Sequence, residues 1–180
     1  MWWRRPLALL FLLCLAGCGF RPLYGTGSAA ADPAVMDELA SVDVAPLANH
    51  QGQMIHNALL TDLTPHGEAE HPKYVLRVSL VVNDVQQAIS TTYSATRDFL
   101  YYTINYYLYQ GSTIVTAGSF SQTYSYDFLP DYYANVSTSD DLKRRASLAI
   151  ADEIRNRLAA YFTKAAEVKK DAEAKKAGGK

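Results

Sequence analysis

Few side chains in this sequence combine reactive chemistry with useful spacing. Both cysteines fall within the first eighteen residues, and Cys18 closes the run Leu15-Ala16-Gly17-Cys18. A thiolate is a strong nucleophile, and the small Ala16 and Gly17 leave the bond before Cys18 open to a peptidase. Cys14 follows the bulky Leu12 and Leu13 and is the poorer candidate. His66, Glu68, Glu70 and His71 offer nitrogen and oxygen donors of the kind zinc takes. Nothing in the pattern orients them, and they read as a polar loop. His50 and His56 are six apart and share no helical face. Gly25 and Gly27 lack the third glycine and the strand–helix setting of a nucleotide site. No Gly-x-Ser-x-Gly elbow occurs, and Asp140-Asp141 and Asp152-Glu153 read as helix-surface charge. The sequence assigns no catalytic residue, no metal and no enzymatic activity.

The segment ahead of Cys18 decides what its sulfur is for. Arg4 and Arg5 precede an apolar run from Pro6 to Leu15, too short for a bilayer, which needs about 20 apolar residues. A charged start, a short apolar middle and a small-residue end make a secretory signal. In that setting Leu15-Ala16-Gly17-Cys18 resembles a bacterial lipobox. The resemblance implies that residues 1–17 are removed and that Cys18 carries a diacylglyceryl thioether and an N-acyl chain. A single acyl chain holds weakly, at about 0.8 kcal/mol per buried methylene, whereas several chains anchor durably. Gly19, where an aspartate would follow the cysteine, resembles an outer-membrane sorting code. The covalent lipid is the only non-protein group expected, and no cofactor is.

Without residues 1–17 the chain has 163 residues, 15 basic and 18 acidic, for a net charge of −3. That length suits one domain with a real core. No basic stripe appears that could grip a nucleic acid. With Cys18 lipidated no thiol remains, so no disulfide is available.

The rest of the chain divides into a tether over 18–34, a domain over 35–166 and a Lys/Ala-rich tail over 167–180. Gly, Ser and Ala dominate the tether, although Phe20, Leu23 and Tyr24 are too apolar for a mere spacer. Alternation from Leu39 to Leu47 predicts a short strand stopped by Pro46. Asn49 then caps a helix whose stripe is Ile55, Ala58, Leu59 and Leu63, and Thr64-Pro65 ends it. From Tyr74 to Asn83, Leu76, Val78, Leu80 and Val82 alternate with Val75, Arg77, Ser79 and Val81. A second strand spans Phe99 to Gln110, with Leu100, Tyr102, Ile104, Tyr106 and Leu108 on its core face. Gly111-Ser112 turns the chain into a third strand, Thr113 to Tyr126, whose weak alternation leaves its buried face open. A loop from Asp127 to Thr138 leads to a long helix capped by Ser137 or Ser139. Its apolar face is Leu142, Ala146, Ala149, Ile150, Ile154, Leu158 and Phe162. Beyond Val168 the composition predicts a solvated, fraying tail.

The order β-α-β-β-β-α gives an α+β two-layer sandwich, a four-stranded sheet with two helices packed on one face. The opposite face is left uncovered. Ten of the thirteen tyrosines lie between Tyr93 and Tyr133, on or beside these strands. Tyrosine is amphipathic and enriched at interfaces, which makes Phe99, Tyr101, Tyr107 and Tyr109 the candidate partner interface. Tyrosine also suits strands by β-propensity, so the pattern alone leaves both readings open.

The block Cys18-Gly19-Phe20-Arg21-Pro22-Leu23-Tyr24, the helix segment Ile55-His56-Asn57-Ala58-Leu59-Leu60, and Ser125-Tyr126 followed by Ala146-Ser147-Leu148-Ala149-Ile150 resemble the lipopolysaccharide-assembly lipoprotein family (LptE). The resemblance implies a non-enzymatic outer-membrane lipoprotein facing the periplasm. It would sit as plug and assembly aid in an LptD-type β-barrel translocon and bind lipopolysaccharide. The extension after Phe162 is less typical of the family. A polar-aromatic face suits a wet barrel lumen, and lipopolysaccharide phosphates call for charge-assisted hydrogen bonds. Arg97 and Arg77 are the candidate lipopolysaccharide-binding residues; each also fits a charge that keeps a strand edge from aggregating. A rival reading is a periplasmic auxiliary lipoprotein binding a small lipid for an envelope transporter, which would require a closed apolar pocket. A lipid-anchored hydrolase lacks a convergent acid, base or nucleophile.

The lipobox reading predicts that intact-mass and peptide analysis of the membrane-extracted protein finds Cys18 as residue one, carrying a diacylglyceryl thioether and an amide-linked acyl chain. A Cys18→Ala variant should keep residues 1–17 attached. An unmodified amino terminus, or one at any other residue, would refute it.

Overall fold

The computed structural model describes residues 33–65, 67, 69–87, 97–127 and 131–177. The signal segment, Cys18, most of the tether, His66 and Glu68 lie outside them. The elements are α1 (Pro33–Ala40), β1 (Val42–Val44), α2 (Asn49–Leu63), β2 (Tyr74–Gln87), β3 (Arg97–Gln110), β4 (Thr113–Asp127) and α3 (Tyr132–Ala177). The sheet order is β1-β2-β3-β4, with β1 parallel to β2 and both other pairs antiparallel. A short parallel strand, a crossover helix and a three-stranded meander make the expected two-layer α+β sandwich.

Helix α1 departs from the predicted pattern. It starts at Pro33, inside the predicted tether, and takes Leu39 and Ala40, which alternation assigns to a strand. Val35 and Leu39 lie one helical turn apart and are both buried, and burial along one face outweighs a short run of alternation. Ser41 ends the helix, its Oγ donating to the Glu38 carbonyl at 2.7 Å. The Ser41 carbonyl then accepts from the N–H groups of Lys73 and Tyr74 at 2.9 and 3.3 Å, which sets the start of the sheet. The strand itself shrinks to Val42–Val44.

Helix α2 forms as its residues predict. Asn49 adopts φ 65°, a left-handed conformation that asparagine tolerates. Its Oδ1 accepts the Gly52 N–H at 2.9 Å, which is the expected cap. Ile55, Ala58, Leu59 and Leu63 are buried. Thr64 closes the helix by donating both its N–H and its Oγ1 to the Leu60 carbonyl, at 2.9 and 2.8 Å.

Helix α3 begins before either predicted cap. Asp131 takes that role, its Oδ1 accepting from the N–H groups of Tyr133 and Ala134 at 2.8 and 3.3 Å. Aspartate caps as well as serine does, so Ser137 and Ser139 fall inside the helix. The buried stripe runs Leu142, Ala146, Ile150, Ile154, Leu158 and Phe162, joined by Ala151 and Ala159. Ala149 is exposed. Steps of four advance about 40° around the helix each time, so the stripe winds away from a residue placed by a step of three. At the other end the helix continues to Ala177, past the point of predicted fraying, while Lys169–Lys175 are all exposed. Ala, Lys and Glu are strong helix formers, so a solvated segment of this composition stays helical. No helix among the described residues is long and apolar enough to cross a membrane.

The core lies between the helices and one sheet face. Leu76 of β2 and Leu100, Tyr102, Ile104, Tyr106 and Leu108 of β3 are buried there, and Val78, Leu80 and Val82 pack at its margin. Strand β4, ambiguous in sequence, turns Phe120, Tyr124 and Tyr126 toward the helices. Tyr124 meets Tyr102 edge-on at 5.6 Å, and Phe162 of α3 meets Tyr74 at 5.1 Å. The Tyr102 hydroxyl accepts a hydrogen bond from the Gln51 side chain of α2, which satisfies a phenol that is otherwise fully buried. Arg157 lies over the Phe120 ring at 4.8 Å while donating to Glu153 at 2.7 Å. Gly111, at φ 61°, makes the tight turn between β3 and β4.

Gly118 faces Tyr106 across the β3–β4 pair. A Cβ at 118 would stand 2.5 Å from the Tyr106 hydroxyl and 2.7 Å from Cζ. The phenol ring lies where a side chain would otherwise be, which explains the glycine at 118. Gly118→Ala should therefore lower stability by about 1–3 kcal/mol through overpacking, read from denaturant unfolding. Tyr106→Leu in the same chain should recover part of the loss. Unchanged stability in the single variant would show that the ring moves aside freely.

Candidate functional site

The uncovered sheet face follows directly from strand register. Along β3, residues of even number point to the helices, so Phe99, Tyr101, Thr103, Asn105, Tyr107 and Tyr109 point away. The pairing places Val85 and Ser125 beside Phe99, Asn83 and Thr123 beside Tyr101, and Val81 and Ser121 beside Thr103. Farther along, Arg77 and Ala117 flank Tyr107, while Val75 and Ile114 flank Tyr109 across a bulge at Leu108/Tyr109. The face thus has an aromatic centre line, an aliphatic and amide strip on β2, and a hydroxyl strip of Ser119, Ser121, Thr123 and Ser125 on β4.

All four predicted interface residues lie on this face. Tyr101 and Tyr107 are 37 % and 40 % exposed, with Val81, Val85 and Ile114 more open still. Phe99 stacks on Tyr101 at 6.3 Å with an interplanar angle of 18°, so the two rings lie nearly parallel. The hydroxyl strip and the aliphatic residues of β2 complete the surface. Alternation from Phe120 onward is the signal that places the hydroxyls outside; the run Ala117-Gly118-Ser119 conceals it.

Arg77 and Arg97 both project from this face, at opposite ends. Arg77 lies over the Tyr109 ring at 5.0 Å, a cation–π contact that leaves its N–H donors available. Arg97 sits directly across from Asp127 and donates from Nε to Oδ1 at 2.7 Å. This hydrogen bond, then the opposite charge, pushes Arg97 higher and holds the Asp127 carboxyl below the usual carboxylate range. Arg77 pairs with Tyr107, and Arg97 lies ten residues away along β3, about 33 Å at the rise of a strand. The two arginines therefore do not converge on one headgroup. Arg77, Arg97, Asp127 and, at the β1 edge, Asp43 are the charged residues on this face among the described strand positions.

Among the described residues no three His, Cys, Asp or Glu side chains gather as a metal site. Glu70 and His71 are partly or fully exposed in the loop before β2. A cleft of about 490 Å³ between α1 and the end of α2 is lined by Met36, Leu39 and Leu63, together with Asp37, Asp62 and Arg155. Burial pushes the Asp62 carboxyl up, and Arg155 pulls it back.

No family model matches the chain, and no curated protein matches it. Solved structures share the fold. A candidate lipoprotein from Caulobacter crescentus aligns with a TM-score of 0.59 at 22 % identity, over 71 % of this chain and 94 % of that one. An uncharacterized lipoprotein B from Nitrosomonas europaea aligns with a TM-score of 0.55 at 12 % identity, over 68 % and 83 %. A minor lipoprotein from Acinetobacter baumannii aligns at 0.50 and 17 % identity, over 66 % and 88 %. The architecture is thus one found in proteins described as lipoproteins.

The aromatic line carries little of the fold's stability, since its outer rings touch neither helix layer nor core. Tyr101→Ala with Tyr107→Ala should shift the unfolding free energy by no more than about 0.5–1 kcal/mol, measured by urea unfolding. A loss of several kcal/mol would show that these rings hold the sheet together and are not a free surface.

Proposed function

We propose that this chain is an outer-membrane lipoprotein, anchored through Cys18 and facing the periplasm, that acts as plug and assembly partner of an LptD-type β-barrel lipopolysaccharide translocon. In this reading it binds lipopolysaccharide during insertion, and its work is steric and electrostatic with no catalysed reaction. The observation that carries the reading is the uncovered sheet face, whose aromatic rings are flanked by hydroxyls and almost free of charge. A surface of this kind can rest against a polar, hydrated barrel wall, with tyrosines offering both ring area and hydroxyls. The lipobox and the shared architecture with proteins described as lipoproteins support the anchored state.

The rival reading, a carrier of a small lipid, draws less support. The cleft between α1 and α2 carries Asp37, Asp62 and Arg155, charges that an acyl chain would have to desolvate. For lipopolysaccharide, the Arg77 charge lies over the Tyr109 ring with no carboxylate paired to it among the described residues, whereas the Arg97 charge is already met by Asp127.

Extraction in mild detergent followed by affinity capture should recover a large outer-membrane β-barrel with the wild-type chain, and several-fold less with the Tyr101→Ala/Tyr107→Ala variant at equal abundance. Equal recovery would remove this face from the interface; an inner-membrane transporter in place of the barrel would replace the reading with its rival. Arg77→Glu should weaken capture of purified lipopolysaccharide more than Arg97→Glu does. Unaltered binding in both variants would release the arginines from that role.

A further inference from the structure

On the helix-facing side, at the end of the sheet farthest from β1, two carboxyls meet. Asp98 of β3 is 1 % exposed. Its Oδ2 accepts the Tyr126 hydroxyl at 2.9 Å, while its Oδ1 is buried without a donor. The Asp84 carboxyl, at an exposed position on the neighbouring strand β2, faces the Asp98 side chain and can supply one when protonated. Asp84 pairs with Leu100, and Asp98 with Gln86, so the two carboxyls lie diagonally across the strand pair on one face. Two ionised carboxylates cannot hydrogen-bond to each other, because both only accept. One proton between them satisfies the orphaned oxygen and ties the strands together.

We propose that Asp84 and Asp98 share this proton and form an acid-closed clasp on the β2–β3 tip, which opens when the proton leaves to solvent. The surroundings favour the proton. The Asp84 carboxyl is pushed up to about 6 from an ordinary 3.8, first by the hydrogen bond to Asp98, then by burial and the Asp98 charge, against the pull of Lys143. From α3, Lys143 is the facing cation, and it is shared with Asp140, whose Oδ1 stands 4.0 Å from its Nζ. From β4, Tyr126 faces the pair, bonded also to Ser139 of α3, with Tyr124 beyond it. From β3, Tyr102 faces Asp84, and α2 contributes the uncharged Gln51 on the Tyr102 hydroxyl. Burial pushes the phenols of Tyr102, Tyr124 and Tyr126 up, so they stay neutral and leave the Asp84 carboxyl as the group that titrates.

The direction follows from linkage. A carboxyl whose pKa is higher in the folded state than in the unfolded chain stabilises the fold while it is protonated. That contribution is complete below about 3.8 and is lost as the pH rises through about 6. The clasp therefore closes on acidification, opposite to the Arg97–Asp127 pair one row nearer the tip, whose carboxylate must be ionised. Val85 and Phe99 flank the clasp on the uncovered face, so proton loss loosens the end of the aromatic surface that bears Phe99 and Arg97.

Hydrogen exchange of the full-length lipidated protein in detergent micelles tests this, after correction for intrinsic exchange rates. Between about pH 5 and about pH 7.5 the amides of 84–87 and 97–100 should lose about tenfold in protection relative to those of 104–108. Asp84→Asn, which keeps a donor in place at every pH, should retain the protection at both. Asp43→Asn, an exposed carboxylate on β1, should behave as wild type. Equal protection of the wild-type tip at the two pH values, or a loss that persists in Asp84→Asn, would overturn the clasp.

Discussion

A strand buried on one face and wet on the other constrains every other element of this domain. β3 alone has a full-length neighbour on each side, and its residues alternate between complete burial and exposure along nearly its whole length. Tyr102, Ile104 and Leu108 cannot face water at acceptable cost, since each large apolar side chain is worth about 1.5–3 kcal/mol on burial. They require a helical cover, and the winding stripe of α3 with the narrower stripes of α1 and α2 supplies it. Among the described residues no element remains to cover the other side. The aromatic surface is thus the complement of the core, displaced from it by a single residue along the same strand.

Parity also explains how one residue type serves two purposes. Tyr102, Tyr124 and Tyr126 point inward, where Gln51, Gln122 and Asp98 meet their hydroxyls. Tyr101, Tyr107 and Tyr109 point outward and form the surface on which the plug reading rests. A census of tyrosines cannot separate the two sets. Their positions along the strand do, because a shift of one residue exchanges core and surface.

Much of this was legible before any coordinates. The stripe of α2, the face of β3 and the turn at Gly111 follow from spacing alone, since each is a local pattern with one dominant cause. The failures have equally specific causes. Leu39 and Ala40 fit the start of an alternating run whose apolar positions are only Ala40, Val42 and Val44, too weak to compete with tertiary burial of Val35 and Leu39. The start of α3 was hidden because Asp131, Ser137 and Ser139 are all competent caps, and local sequence does not rank them. The winding of the α3 stripe, which exposes Ala149, depends on how that helix crosses the sheet. The carboxyl pair at Asp84 and Asp98 was invisible for a different reason: its members are fourteen residues apart and meet only through strand register.

The close approach of Tyr106 to Gly118 has a consequence for descent as well as for packing. A backbone position whose missing side chain is occupied by a ring from the adjacent strand cannot drift independently of that ring. Lineages of this protein that lose the glycine are expected to have traded the phenol for something smaller, in that order or the reverse. The two sites, twelve residues apart in the chain, should be inherited as one unit.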